Sequence, residues 1–308
     1  KRRSIMQIQT RQHTLKRPVS CTGIGVHSGR RVRLTLSPAP VNHGIKFVRS
    51  DLPSRPQIHA HFNHVIDTSN ATVIGADGVI VSTIEHLMAC LSGMAVDNVL
   101  VELDSHEMPI MDGSAGPFAE MIRAAGVEPQ AGPRCYFTVK EPIELKENGK
   151  FVGVYPLSTF KLTYTIEYDH PMIRKQTRTF DGNPQTFEKE IASARTYGFL
   201  HEYELLKRYG LAGGCSLDNV VVVDETGIVN EEGLRFEDEF VRHKILDCIG
   251  DLSLLGMPVI GHIVMSKSGH AFNYAFLKKF FSSKDSWSTC TLQPPEGEAS
   301  TPPKSLAI

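Results

Sequence analysis

His243 and Asp247 stand four residues apart in the run Phe240-Val241-Arg242-His243-Lys244-Ile245-Leu246-Asp247-Cys248-Ile249-Gly250-Asp251. On a helix, residues at i and i+4 share a face, and Asp251 extends that face by one more turn. An imidazole and a carboxylate at this spacing can fill two of zinc's four tetrahedral positions, leaving room for a third protein ligand and a water. The same spacing also suits a surface ion-pair network, because Glu237, Asp238, Glu239, Arg242 and Lys244 crowd the segment and charge runs are commonly solvated faces. A third ligand is offered by His86, which follows Glu85 at the start of the otherwise apolar stretch Ile84 to Leu91. A Glu beside a zinc-ligating His can hold a water and take its proton. Alternatively, Glu85 simply occupies the first helical turn, where the dipole favours a carboxylate.

The thirteen histidines include decoys. His106-Glu107 and His201-Glu202 begin like zincin helices, but Ile110 and Leu205 stand where the second His would be required. His59-Ala60-His61-Phe62-Asn63-His64 is the densest cluster, and on a strand His59 and His61 would share one face. No carboxylate cluster accompanies it, and solvated residues on an edge or loop beside Pro53 and Pro56 are the favoured reading.

These residues must be carried by a larger framework. At 308 residues, and with roughly 150 residues per domain, two domains are expected. The apolar fraction of 41% and charged fraction of 22% are those of a globular chain. A net charge of -1 argues against a nucleic-acid partner. The six cysteines are scattered with no C-x-x-C pair, as in reduced thiols. Val259 to Met265, among the longest apolar runs, falls far short of the ~20 residues of a membrane span. The basic opening Lys1 to Ile5 has no apolar core behind it, so a cytoplasmic protein starting at Met6 is expected.

Arg31 to Leu36 alternates as a half-buried strand, Ile84 to Leu91 has helical spacing, and Asn98 to Leu103 returns to a strand pattern. Met111 to Pro117 reads as a turn feeding a helix that ends near Gly126. Glu128 to Arg134, with Pro129, Gly132 and Pro133, is the linker candidate, dividing the chain into domains at 6–130 and 135–290. The second domain runs through strands from Phe137 to Tyr168, a helical stretch from Thr186, a strand at Val220 to Val223 and a long helix from Glu237 to Leu255. Unevenly mixed strand and helix blocks indicate an α+β class. After Trp287 the composition becomes Pro, Glu, Ser and Thr rich, and 291–308 is expected to be a disordered tail.

Together with Pro109-Ile110-Met111-Asp112-Gly113-Ser114-Ala115-Gly116-Pro117-Phe118, Ala194-Arg195-Thr196-Tyr197-Gly198-Phe199 and Lys267-Ser268-Gly269-His270, the segments above resemble the UDP-3-O-acyl-N-acetylglucosamine deacetylases, zinc enzymes of lipid A synthesis. The resemblance runs from about Gln9 to Trp287. It implies two similar layered α+β domains facing each other across an active-site cleft, each with a small insert. It further implies zinc, or iron(II) in the cell, on His86, His243 and Asp247, with Glu85 as the base for its water. His270 would be the general acid, oriented by Asp251. Thr196 would stabilise the oxyanion and Lys244 would add positive charge. An insert at about 199–216, with Phe199, Leu200, Tyr203, Leu206, Leu211 and Ser216, would admit the acyl chain, although a buried helix face has the same periodicity. Tyr168 would pack on uracil and Lys267 would lie near the diphosphate. The implied partner is UDP-3-O-acyl-N-acetylglucosamine, with the amphipathic product passed to a membrane-associated pathway and a monomer as the expected state. Two positions depart from the family. Tyr197 stands where Phe is more frequent, so its phenol needs a partner if buried, and Cys215 occupies a Gly position near the acyl passage. The rival class is a non-catalytic zinc protein binding a nucleotide-linked lipid, which needs a fourth protein ligand from the His59 cluster.

Overall fold

A computed structural model describes residues 9–292 of the chain. In the first half, five strands form one sheet in the order Val19–Ile24, Arg31–Pro38, Val99–Leu103, Ile45–Arg49 and Gln57–His59. Neighbours are antiparallel except for Ile45–Arg49 and Val99–Leu103, which run parallel. The alternation in the second strand follows from its two faces: Val32, Leu34 and Leu36 are buried, while Arg31 and Arg33 face solvent. Helix α1 (Glu85–Gly93) and helix α2 (Gly116–Ala125) pack together, with α2 also against Val19–Ile24. A separate antiparallel sheet of three short strands, Val65–Asp67, Val73–Ala76 and Val79–Val81, leads into α1.

The second half builds a seven-stranded sheet of its own. Its hub is Val259–Ser266, which pairs with Lys150–Tyr155, Phe160–Glu167 and Cys135–Val139. That hub is the apolar run of the sequence, and such a run suits a strand covered on both faces. Four helices follow in this half: α3 (Pro184–Glu190), α4 (Leu200–Arg208), α5 (Glu239–Ser253) and α6 (His270–Ser282). Helix α5 packs on Phe160–Glu167, Lys175–Phe180 and α6. The chain is therefore α+β, with each large sheet drawn from one half of the sequence.

The halves meet through α1 and α5. Both helices bury nearly all their residues, Leu87, Met88 and Leu91 on one and Phe240, Ile245 and Leu246 on the other among them. The contact is close enough to require glycine, since a Cβ on Gly250 would stand 2.1 Å from the Glu85 carbonyl oxygen. A second contact joins the halves where Gly213 and Gly214 donate their N–H groups to the His27 and Val26 carbonyls.

Two expectations need correction. The linker is a strand: Val127–Pro133 pairs antiparallel with Arg11–Leu15. Pro129 and Pro133 are tolerated there because this two-stranded ribbon consists of edges alone, so a missing N–H breaks no second ladder. Order also continues beyond Trp287, because Trp287–Thr291 pairs with Cys135–Val139. The rest of the expected tail, 293–308, and the Met6 start lie outside the described residues.

Candidate metal centre and active site

Helix α1 begins without a side-chain cap, and the chain enters it through Thr83 at φ 60°, a left-handed conformation that is costly for a β-branched residue. The entry sets Glu85 and His86 into the first turn, where both are buried. Opposite them, α5 presents His243, Asp247 and Asp251 on its buried face. The surface-network reading fails here, since all three are at most 4% exposed.

His86, His243 and Asp247 each aim a ligand atom at a common point, with those atoms within 4.8 Å of one another. Asp247 Oδ1 lies 3.3 Å from His243 Nε2 and 3.6 Å from His86 Nε2. Ligand bonds of ~2.0–2.2 Å at tetrahedral angles would space donor atoms by roughly 3.3–3.6 Å, so the separations fit a shared cation. The hydrogen bonds agree. His243 Nδ1 is 3.0 Å from the Ala194 carbonyl and must donate to it, leaving the Nε2 lone pair turned inward. Asp247 Oδ1 is buried without a hydrogen-bond partner, while Oδ2 accepts from Lys244 Nζ at 2.8 Å. A lone pair facing an unpartnered carboxylate oxygen in a buried site repels it unless positive charge lies between them.

The Ala194 carbonyl is itself fixed. The Arg195 guanidinium and N–H both bond the Glu239 carboxylate at the start of α5, with Nε and N each 2.9 Å from Oε1. This buried pair ties the Ala194-Arg195-Thr196 segment to the helix that carries His243.

Burial raises Glu85 above the usual carboxylate range, against the pull of His270 and His86. Burial opposes a charge on His270, but Asp251 and then Asp247 and Glu85 outweigh it and raise the imidazole to about 9. His270 Nδ1 lies 2.8 Å from Asp251 Oδ2, and its Nε2 lies 4.0 Å from both Glu85 Oε1 and Asp247 Oδ2. Desolvation lowers His243 to about 4, so its imidazole is neutral as a ligand must be. Burial alone would lower Lys244, yet the Asp247 carboxylate holds it raised and charged. Three carboxylates thus meet one ammonium and one imidazolium, an uneven buried balance that a cation redresses.

The family described as UDP-3-O-acyl N-acetylglycosamine deacetylase matches residues 12–282. The chain belongs to this family. A UDP-3-O-acyl-N-acetylglucosamine deacetylase of Myxococcus xanthus is 51% identical over 271 residues, 88% of this chain and 86% of the relative. Its namesake in Chromohalobacter salexigens is 46% identical over 299 residues, covering 96% and 98%. That of Syntrophus aciditrophicus is 46% identical over 280 residues, 91% and 89%.

Thr196 is half-buried, two residues beyond the Ala194 carbonyl that meets His243, with its N–H on the Gly113 carbonyl and its own carbonyl accepting from Val221. The Tyr197 phenol finds its partner in the Tyr168 hydroxyl at 3.0 Å, and its ring packs edge-on against Phe240. Lys267 is half-exposed and pairs with Glu167 at 2.7 Å. Phe199, Leu200, Tyr203, Leu206, Cys215 and Ser216 line a cavity of about 250 Å³ between α4 and the strand pair Tyr197–Phe199 and Val221–Val223. Leu211 is not part of this lining. Helix α4 buries none of its residues, so it is a wall of this cavity and not a core helix. The His59 ring lies 6.1 Å from that of His61 and 6.5 Å from that of His64, and among the described residues only His86, His243 and Asp247 form a metal-capable group.

Sequence reasoning missed Thr72 and Asn273. The Thr72 N–H donates to Glu85 Oε2 at 3.0 Å and its hydroxyl to Asp251 Oδ1 at 2.6 Å. Asn273 Nδ2 donates to Asp251 Oδ2 at 2.8 Å. For Asn273, three residues beyond His270 at the start of a helix, shared-face spacing was an available signal. Thr72 offered none.

No helix among the described residues is long and apolar enough to cross a membrane.

Proposed function

We propose that this protein hydrolyses the acetamide of UDP-3-O-acyl-N-acetylglucosamine to acetate and the free 2-amine, a step of lipid A biosynthesis carried out in the cytoplasm. The observation that carries the reading is the convergence of His86, His243 and Asp247 beside a buried carboxylate and a charged imidazole. The relatives, named for this activity, share about half of its sequence. Held by those three residues, zinc or iron(II) would supply Lewis acidity toward water and the acetamide carbonyl.

The chain's own groups handle the protons. Glu85 takes one from the attacking water, and its basicity, raised by burial, suits that task. His270 gives one from Nε2 to the departing nitrogen, so the amide's C–N bond breaks to a neutral amine. Its other nitrogen stays on Asp251, which holds the ring in place while the charge leaves. The Thr196 hydroxyl donates to the developing oxyanion. Lys244 occupies Asp247 Oδ2, which reserves Oδ1 for the cation. The acyl chain enters the apolar cavity under α4, the uracil packs on Tyr168, and the diphosphate approaches Lys267. The first half of the chain, through the strand Val127–Pro133, and the second half, from Cys135 on, act as the two lobes of the cleft, a reading supported by the separate sheets of the two halves.

Acetate release from the UDP-linked substrate tests the reading. Activity should disappear with a chelator and return with zinc or iron(II). Activity that persists without metal, or a total lack of turnover by metal-loaded protein, would overturn it.

A further inference from the structure

We propose that Thr72 is a positioning residue for both proton-transfer groups, setting Glu85 through its backbone N–H and His270 through its hydroxyl on Asp251. The inference rests on the deacetylase reading above. Thr72 immediately precedes the strand Val73–Ala76, is 2% exposed, and is separated by 179 positions from Asp251. Its two donors serve two different acceptors. The N–H fixes Glu85 Oε2 at 3.0 Å, which leaves Oε1 as the oxygen facing His270 Nε2. The hydroxyl fixes Asp251 Oδ1 at 2.6 Å.

Asp251 then receives three donors on two oxygens: Thr72 on Oδ1, and His270 and Asn273 on Oδ2. That pattern matches an ionised, acceptor-only carboxylate with no freedom to rotate. The Thr72 hydroxyl oxygen also lies 3.3 Å from His270 Nδ1, so the imidazole N–H is shared between the carboxylate and the hydroxyl. With Nδ1 anchored twice, the ring plane is set and Nε2 points toward Glu85 and Asp247. Because Thr72 comes from the first half and Asp251 and His270 from the second, this one residue, through its N–H and its hydroxyl, registers the two proton-transfer groups across the junction.

Groups of this kind, one bond removed from the reacting residues, typically cost ~10–100-fold when removed. Thr72→Val keeps the shape and the N–H but lacks the hydroxyl, whereas Thr72→Ser keeps both donors. The expected result is a 10–100-fold fall in kcat for Thr72→Val with KM and bound metal unchanged, and near wild-type kcat for Thr72→Ser. In a His270→Ala background the hydroxyl has no ring left to orient, so adding Thr72→Val should cost less than threefold in single-turnover rate. A loss as large in that background as in wild type, or a full kcat for Thr72→Val while His270→Ala is impaired, would overturn the positioning role. If His270→Ala itself left kcat untouched, the deacetylase mechanism above would fail instead, which separates the two readings.

Discussion

Gly250→Ala is the substitution in which two physical effects predict opposite signs, and the structure decides between them. Glycine in a helix interior is less stable than alanine by roughly 0.5–1 kcal/mol, so propensity alone predicts a gain. The added methyl would stand 2.1 Å from the Glu85 carbonyl oxygen and 2.9 Å from its carbon, both backbone atoms with no rotamer to escape into. Reaching even 3.0 Å requires α1 and α5 to part by about 0.9 Å, the difference from 2.1 Å. Overpacking of a buried contact costs ~1–3 kcal/mol, which exceeds the propensity gain. The displacement also falls between His86 on one helix and His243 and Asp247 on the other. A metal site tolerates only about 0.2 Å in its ligand distances. The expected outcome is a lower Tm for the metal-free protein and metal affinity weakened ~10–100-fold, read by calorimetry and by competition with a metal-binding dye. A variant that is stabilised and retains wild-type affinity would show that the α1–α5 contact does not set the ligand spacing.

Three further outcomes follow from the same geometry. Glu85→Ala should lower kcat by about 10²–10⁴ with secondary structure and metal content intact, as checked by steady-state kinetics and circular dichroism; full activity would remove Glu85 from proton transfer. The proton on His270 is held up to about 9, so the charged form is fully present below the ordinary histidine range and lost as pH rises through about 9. Activity should fall along that alkaline limb, at a pH drawn down by the positive charge of a bound cation. Asp251→Asn should move the limb further toward neutral pH, and an unmoved limb would assign it to another group. Cys215→Gly should widen the cavity under α4 and shift preference to longer acyl chains, whereas Cys215→Leu should shorten it. Near the limit each methylene is worth ~1–3 kcal/mol, a change visible in kcat/KM across an acyl series; identical length profiles would place the chain elsewhere.

The parts of this site legible in the sequence were those encoded in one element. His243, Asp247 and Asp251 could be grouped because a helix fixes their relation at spacings of four. Glu85-His86 stood out because two polar residues opened an apolar helix. Along the chain, the α+β class and most elements followed from periodicity, as at Arg31–Pro38 and α5. Composition misled where context changes its meaning. Pro129 and Pro133 signal a break in a central strand, yet they sit without penalty in a ribbon of two edges. Helix α4 shows a limit of another kind, since a cavity wall and a core face share one period, and only the surrounding chain determines whether the apolar side chains are covered.

What stayed hidden was the support of the site, much of which is backbone. The carbonyl that sets the His243 tautomer belongs to Ala194, and an N–H that orients Glu85 belongs to Thr72. Any residue supplies the carbonyl and any but proline the N–H, so residue identity cannot reveal them. Side chains enter the support only to hold that backbone in place, as Glu239 does by binding the N–H and guanidinium of Arg195 one residue beyond Ala194. The buried Arg195–Glu239 pair therefore bears on the candidate metal site without touching His86, His243 or Asp247: removing Glu239 would free the Ala194 carbonyl, release the His243 tautomer and leave the buried guanidinium only the exposed Glu232 carboxylate and the Gly233 carbonyl as partners.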